Sequence, residues 1–172
     1  YNLGNMYSDG KGVNQDYLEA IKWLKLAALQ GLASAQYNLG IIYYRGKGVN
    51  QNYQESFKWY KLAAEQGHAE AQSYLGNMYY HGYGIKQDYI KAFEYYRKAA
   101  SYGNKDAQNE ILNIEEKDIN WHIKAANQGL PESQNILGVA YVAGKVIPED
   151  NEKAFYWFIK SAKGGSDQAL YN

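Results

Sequence analysis

The chain has 172 residues, 46% of them hydrophobic, which suits about one core-forming domain. Its 18 basic and 18 acidic side chains cancel, so no chain-wide field exists to collect phosphate backbones or anionic lipid, and nucleic acid is not an expected partner. Cysteine is absent, which excludes disulfides, thiolate nucleophiles and Cys-based zinc sites, and no apolar run approaches the roughly 20 residues that insertion as a membrane-spanning helix needs.

The first element already belongs to a repeat. Gly4, Gly40 and Gly76 lie 36 residues apart, each followed by a tyrosine (Tyr7, Tyr43, Tyr79) and then by a Gly-x-Gly at Gly10/Gly12, Gly46/Gly48 and Gly82/Gly84. Trp23, Trp59 and Tyr95 keep the same register, as do the pairs Ala27-Ala28, Ala63-Ala64 and Ala99-Ala100 and the glycines Gly31, Gly67 and Gly103. Self-similarity at a fixed period of roughly 20 to 50 residues marks an array of stacked units.

Within a unit, Ala35, Leu39, Ile42 and Tyr43 recur at i, i+4, i+7 and i+8, the apolar stripe of one α-helix, here helix A. After the glycine loop, Tyr53, Phe57, Tyr60, Ala63 and Ala64 draw a second stripe, helix B, with Asn52 (Asp16 and Asp88 in the neighbouring copies) placed as its N-cap. Gly31, Gly67, Gly103 and Gly129 follow the end of helix B, where a left-handed cap costs glycine least. Each unit is predicted to be an antiparallel helical hairpin. The alanine pairs and the mid-helix Gly40 and Gly76 shorten the distance between helix axes, while Tyr, Trp and Phe fill the space beside them.

Further along, the unit opening at Ala107-Gln108 reaches the next opening, Ser133-Gln134, after 26 residues instead of 36 and has no glycine loop. A hairpin with a sharp turn near Asn113 to Asp118 is expected there, in preference to one merged helix. In the last full unit Val146 stands where others have Gly12, Gly48 and Gly84, so that loop must differ if the glycine needs positive φ. The chain is expected to be a single repeat solenoid over 1–172, in units 1–34 (partial), 35–70, 71–106, 107–132 (shortened) and 133–168, with a stub at 169–172. Uncapped end helices suggest a piece of a longer array and favour end-to-end self-association.

The motif Ala-x-x-x-Leu-Gly-x-x-Tyr-x-x-Gly-x-Gly-Val, followed by a capping Asp or Asn, Trp, Ala-Ala and Gly, closely resembles the Sel1-like repeat, a relative of the tetratricopeptide repeats. It runs from Tyr1 to Asp106 and resumes at Ser133 through Leu137-Gly138, Tyr141, Asp150, Ala154, Trp157 and Ala162. The resemblance implies an all-α, right-handed superhelical solenoid of antiparallel helix pairs. It also implies a non-enzymatic adaptor that assembles protein complexes. The alternatives are a cell-envelope enzyme akin to cysteine-rich relatives, disfavoured because this chain lacks their disulfide per repeat, and a structural spacer. Abundant Asn, Lys, Ile and Tyr with no threonine fit an AT-rich bacterial genome; cytoplasm, periplasm and secretion all stay open.

No catalytic, cofactor or metal site is expected. Gly10-Lys11-Gly12 and Gly46-Lys47-Gly48 follow a helix and complete no phosphate-loop spacing, so they read as turns. His68, His81 and His122 lack a partner at metal-pair spacing and read as surface or loop residues. The carboxylate clusters suit helix N-termini and solvated faces, and the tyrosine stripe suits packing better than base stacking, since no basic groove accompanies it.

The candidate site is the concave groove of the solenoid, lined by helix A positions off the apolar stripe. These are Asn2, Asn38 and Tyr74 at one level, Asn5, Ile41 and Asn77 at the next, and Ser8, Tyr44 and Tyr80 at the third. Asn amides can pair with both the N–H and C=O of an extended peptide, and Tyr adds contact area at low entropic cost. The expected partner is a protein or an extended peptide.

Overall fold

The computed structural model describes residues 1–117 and 119–165. These residues form two compact units, Tyr1–Gln108 and Asn109–Asn172, each treated below by itself. Among the described residues every regular element is an α-helix. The first unit holds α1 (Asn2–Asp9), α2 (Tyr17–Leu29), α3 (Ala33–Arg45), α4 (Tyr53–Glu65), α5 (Ala69–His81) and α6 (Tyr89–Ser101). The division falls within α7 (Lys105–Lys117); the second unit continues through α8 (Ile119–Gln128), α9 (Pro131–Ala143) and α10 (Asn151–Lys163).

Odd-numbered α1, α3 and α5 are the predicted helices A, and α2, α4 and α6 the helices B. Asp16, Asn52 and Asp88 cap helix B as anticipated: each adopts extended backbone, and its side-chain oxygen accepts from the N–H of Glu19, Glu55 or Lys91. Asp150 repeats this at α10. The A-to-B loop leaves helix A through a left-handed glycine (Gly10, Gly46, Gly82). It closes with the capping residue's N–H donating to the carbonyl of Tyr7, Tyr43 or Tyr79 at 2.9 to 3.0 Å. The Gly-Lys-Gly segments are therefore turns.

One contact sets the spacing within each hairpin. A Cβ placed on Gly4, Gly40, Gly76 or Gly138 would lie 2.4 to 2.8 Å from the side chain twenty residues on, namely Leu24, Tyr60, Tyr96 and Phe158. The helix A glycine is thus a seat for a large helix B residue, and it compensates its own poor helix propensity by contact. Partners equally spaced about the loop also show the two helices to be antiparallel. Between hairpins, Gln36 and Gln72 donate through Nε2 to the carbonyls of Ala28 and Ala64 at 3.0 and 3.1 Å, a second bond to helix B carbonyls that also accept from the N–H of Gly31 and Gly67. Gln134 does the same for Ala126 in the second unit.

In the shortened unit α7 runs to Lys117 and α8 starts at Ile119, so residues 113–117, where a sharp turn was expected, are helical. Asp118, the last residue of the expected turn, lies outside the described residues, as does the stub at 169–172. Leu112 stands where the other units have the seat glycine and is half exposed. The residue matching Leu24, Tyr60 and Tyr96 is His122. It is 4% exposed, with Nδ1 3.1 Å from Ser133 Oγ, which corrects its reading as a surface histidine. Val146 is 71% exposed, and no non-glycine among the described residues has positive φ, so the last loop does differ. Gly144 keeps the left-handed exit, and Asp150 N–H still reaches the Tyr141 carbonyl at 3.1 Å.

Candidate functional site

The first unit gathers four of the anticipated groove residues into one open cleft of about 300 Å³ between α1 and α3. Asn5 and Ser8 come from α1 and Asn38 and Ile41 from α3, because each pair points away from the stripe that packs on helix B. Asn38 Nδ2 donates to Asn5 Oδ1 at 2.8 Å, joining equivalent faces of successive helices A. Whichever way the two amides are oriented, this bond leaves one NH2 and one carbonyl oxygen facing the cleft. Arg45 and Lys47 close one end and Asp9 lies at the rim, none of which the sequence reading had placed there.

The tyrosines of the ladder are packed more deeply than a binding ladder requires. Tyr44 and Tyr74 stand edge to face at 5.7 Å, and both contact Tyr60, with Tyr74 stacked on it at 4.9 Å. Tyr53 and Tyr83 stack at 4.8 Å beside Tyr44. Tyr37 joins through Tyr60 and Tyr74 and stacks on the His68 ring at 4.6 Å. Packing is the first role of this cluster, and Tyr44 and Tyr74 are left only partly exposed. Tyr80 is half buried against Tyr89 at 5.5 Å, Asn77 is half buried, and Asn2 is exposed. These three are not among the residues that line the cleft.

Burial, reinforced by the neighbouring Tyr74, pushes the Tyr37 phenol up to about 12. Burial likewise raises Tyr44 and, further, Tyr60, whose hydroxyl is buried without a hydrogen-bond partner. A buried hydroxyl left unpaired is unfavourable. Tyr60→Phe is therefore expected to raise stability by about 1 kcal/mol, seen as a higher denaturation midpoint with unchanged helicity. A lower midpoint would mean that the hydroxyl has a partner in solution. His68 is not on a free surface: it caps α5, its Nδ1 accepting from Ala71 N–H at 3.4 Å, and burial lowers its basicity despite Glu70 beside it. His81 is exposed.

The second unit carries the ladder in a different chemistry. Ser133 answers to Ala35, so Ile136, Val139 and Val142 of α9 answer to Asn38, Ile41 and Tyr44, and all three are exposed. Extending the repeat register past the shortened unit would have found them. Among the described residues no group of three or more His, Cys, Asp or Glu is arranged to hold a metal ion, and no helix is long and apolar enough to cross a membrane.

Helix pairs of this length, closed by Gly-x-Gly loops and stacked through alanine and glycine, define a helical-hairpin repeat protein. The family model for the Sel1 repeat matches residues 1–32, 33–68, 69–104, 119–130 and 131–166, and the chain belongs to that family. The protective antigen c5321 of uropathogenic Escherichia coli strains, which displays an SLR fold, is 37% identical with a TM-score of 0.66 over 99% of this chain and 39% of its own. A Sel1 repeat protein from Oxalobacter formigenes is 35% identical with a TM-score of 0.64, over 98% of this chain and 71% of that one. The chitin synthase regulator SKT5 of Saccharomyces cerevisiae is 41% identical over 61 residues, 33% of this chain and 9% of SKT5. The chain thus spans well under half the length of c5321 and a small part of SKT5.

Proposed function

We propose that this chain is a non-enzymatic scaffold that holds an extended segment of a protein partner on the exposed face of its helices A. The observation that carries this reading is the α1–α3 cleft, where the Asn5–Asn38 pair offers one donor and one acceptor beside the half-buried Ile41. An extended peptide presents the complementary N–H and C=O from its backbone, so such a site can hold it without reading every side chain. Membership of the Sel1 repeat family supports the reading, since its members generally mediate protein–protein contacts. So does the description of SKT5 as a chitin synthase regulator.

The test uses affinity capture from lysate with the 172-residue chain and a variant carrying Asn5→Ala, Asn38→Ala and Ile41→Ser, which spares the packed tyrosines. A partner retained by the parent and lost by the variant, with equal circular dichroism, supports the helix A face. Equal capture by both moves the site elsewhere, and capture by neither favours a spacer.

A further inference from the structure

The charges around the α1–α3 cleft do not balance. Asp9, the one carboxylate that lines the cleft, pairs with the exposed Lys11, Nζ to Oδ2 at 3.1 Å. Among the described residues Arg45 and Lys47 have no carboxylate partner; Lys47 Nζ instead lies 5.6 Å over the Tyr17 ring. The C-terminal end of α3 contributes about half a negative charge, less than two full cations. Two uncompensated cations beside a cleft in a chain of zero net charge are a local feature, not a consequence of composition.

Position adds a second constraint. Asn38 and Arg45 are seven residues apart on α3. That is about 10.5 Å along the axis, the length of about three residues of extended chain. A segment whose backbone pairs with the Asn5–Asn38 amides therefore brings a side chain about three residues away up to Arg45. The cleft is open, so a segment can run through it along α3 rather than ending inside it. A guanidinium and an ammonium select a carboxylate over a neutral amide of the same shape.

We propose that the Arg45–Lys47 end of this cleft recognises an Asp or Glu side chain of the bound segment, a specificity that rests on the scaffold reading above. The probe is an array of random nonapeptides, acetylated and amidated at their ends, incubated with the full chain at low salt. The expected result is a set of retained peptides sharing one acidic position. Exchange of that residue for Asn or Gln should weaken binding about 5- to 10-fold, and 0.3 M salt should weaken it similarly. Arg45→Gln with Lys47→Gln should abolish the acidic preference while leaving residual binding and unchanged circular dichroism, since Arg45 is exposed and Lys47 gives up only its place over the Tyr17 ring. Retained peptides without acidic preference would overturn this inference and leave the scaffold reading standing. Binding only by peptides with free C-termini would overturn the side-chain assignment. Retention of no peptide would count against both.

Discussion

Replacing Gly76 by alanine is expected to destabilise the protein by about 2 kcal/mol, although the same change in an exposed helix interior stabilises by about 1 kcal/mol. The sign reverses because of where the methyl would go. Its carbon would sit 2.6 Å from Cδ1 and 2.7 Å from Cε1 of Tyr96, a ring 2% exposed between α5 and α6. The near edge of a buried ring cannot withdraw as a flexible side-chain tip can, so α5 must move off α6. Thermal denaturation followed by circular dichroism measures the loss. The cause is isolated by a double-mutant cycle: in a Tyr96→Leu background the alanine should cost less than half as much. An additive cycle would show that the methyl disturbs something other than the ring. The same logic applies to Gly40 with Tyr60, at 2.4 Å.

That pairing was legible before the structure, because two properties of the sequence agree. A glycine inside an apolar helical stripe is unfavourable unless something approaches it, and a large residue recurs twenty positions later in each full unit. The caps at Asp16, Asn52 and Asp88 were equally readable, since a short polar side chain before a periodic run has a single strong use. His122 was misread for want of register. Aligned through the shortened unit, Trp121-His122 matches Trp59-Tyr60 and Trp157-Phe158, which places the imidazole at a buried helix B position. The chemistry of the residue suggested a surface, but its address indicated the core.

The candidate site was legible only in part, for a related reason. Helix periodicity assigns residues to faces, so it brought Asn5, Ser8, Asn38 and Ile41 to one cleft. It does not say how far a side chain on that face is covered by its neighbours. Tyr44 and Tyr74 lie on the anticipated face yet lean into the Tyr60 cluster, because aromatic rings reach across the spacing between helices and bury area there. Arg45 and Lys47 escaped notice because they flank Gly46, at a helix end where backbone geometry and not periodicity directs the side chains.

Replacing Gly84 by alanine is expected to cost more than Gly76, about 3 kcal/mol. Two effects add. Its φ of +69° is a conformation that L residues adopt at a cost of about 1 to 2 kcal/mol. The new Cβ would also lie 2.5 Å from the Tyr53 carbonyl carbon and 2.7 Å from Gln54 N, which is backbone at the start of α4. Against this, alanine restricts the unfolded chain and returns about 0.4 to 1 kcal/mol. Gly103 supplies the control, since it has φ +82° but nothing within 4 Å of the added carbon, so Gly103→Ala should cost only about 1 kcal/mol. Denaturant midpoints of the two variants separate the steric term from the conformational one. Equal losses would mean that the loop of one hairpin does not bear on helix B of the preceding hairpin. A larger loss at Gly84 would identify the second glycine of each loop as the spacer between hairpins. Gly48 makes the same approach to Tyr17 Cβ, next to Lys47, whose ammonium lies over that tyrosine ring. The close contact that stacks the hairpins would then also position a cation of the cleft, and Gly48→Ala should weaken acidic-peptide binding together with stability, whereas Gly103→Ala should leave binding unchanged.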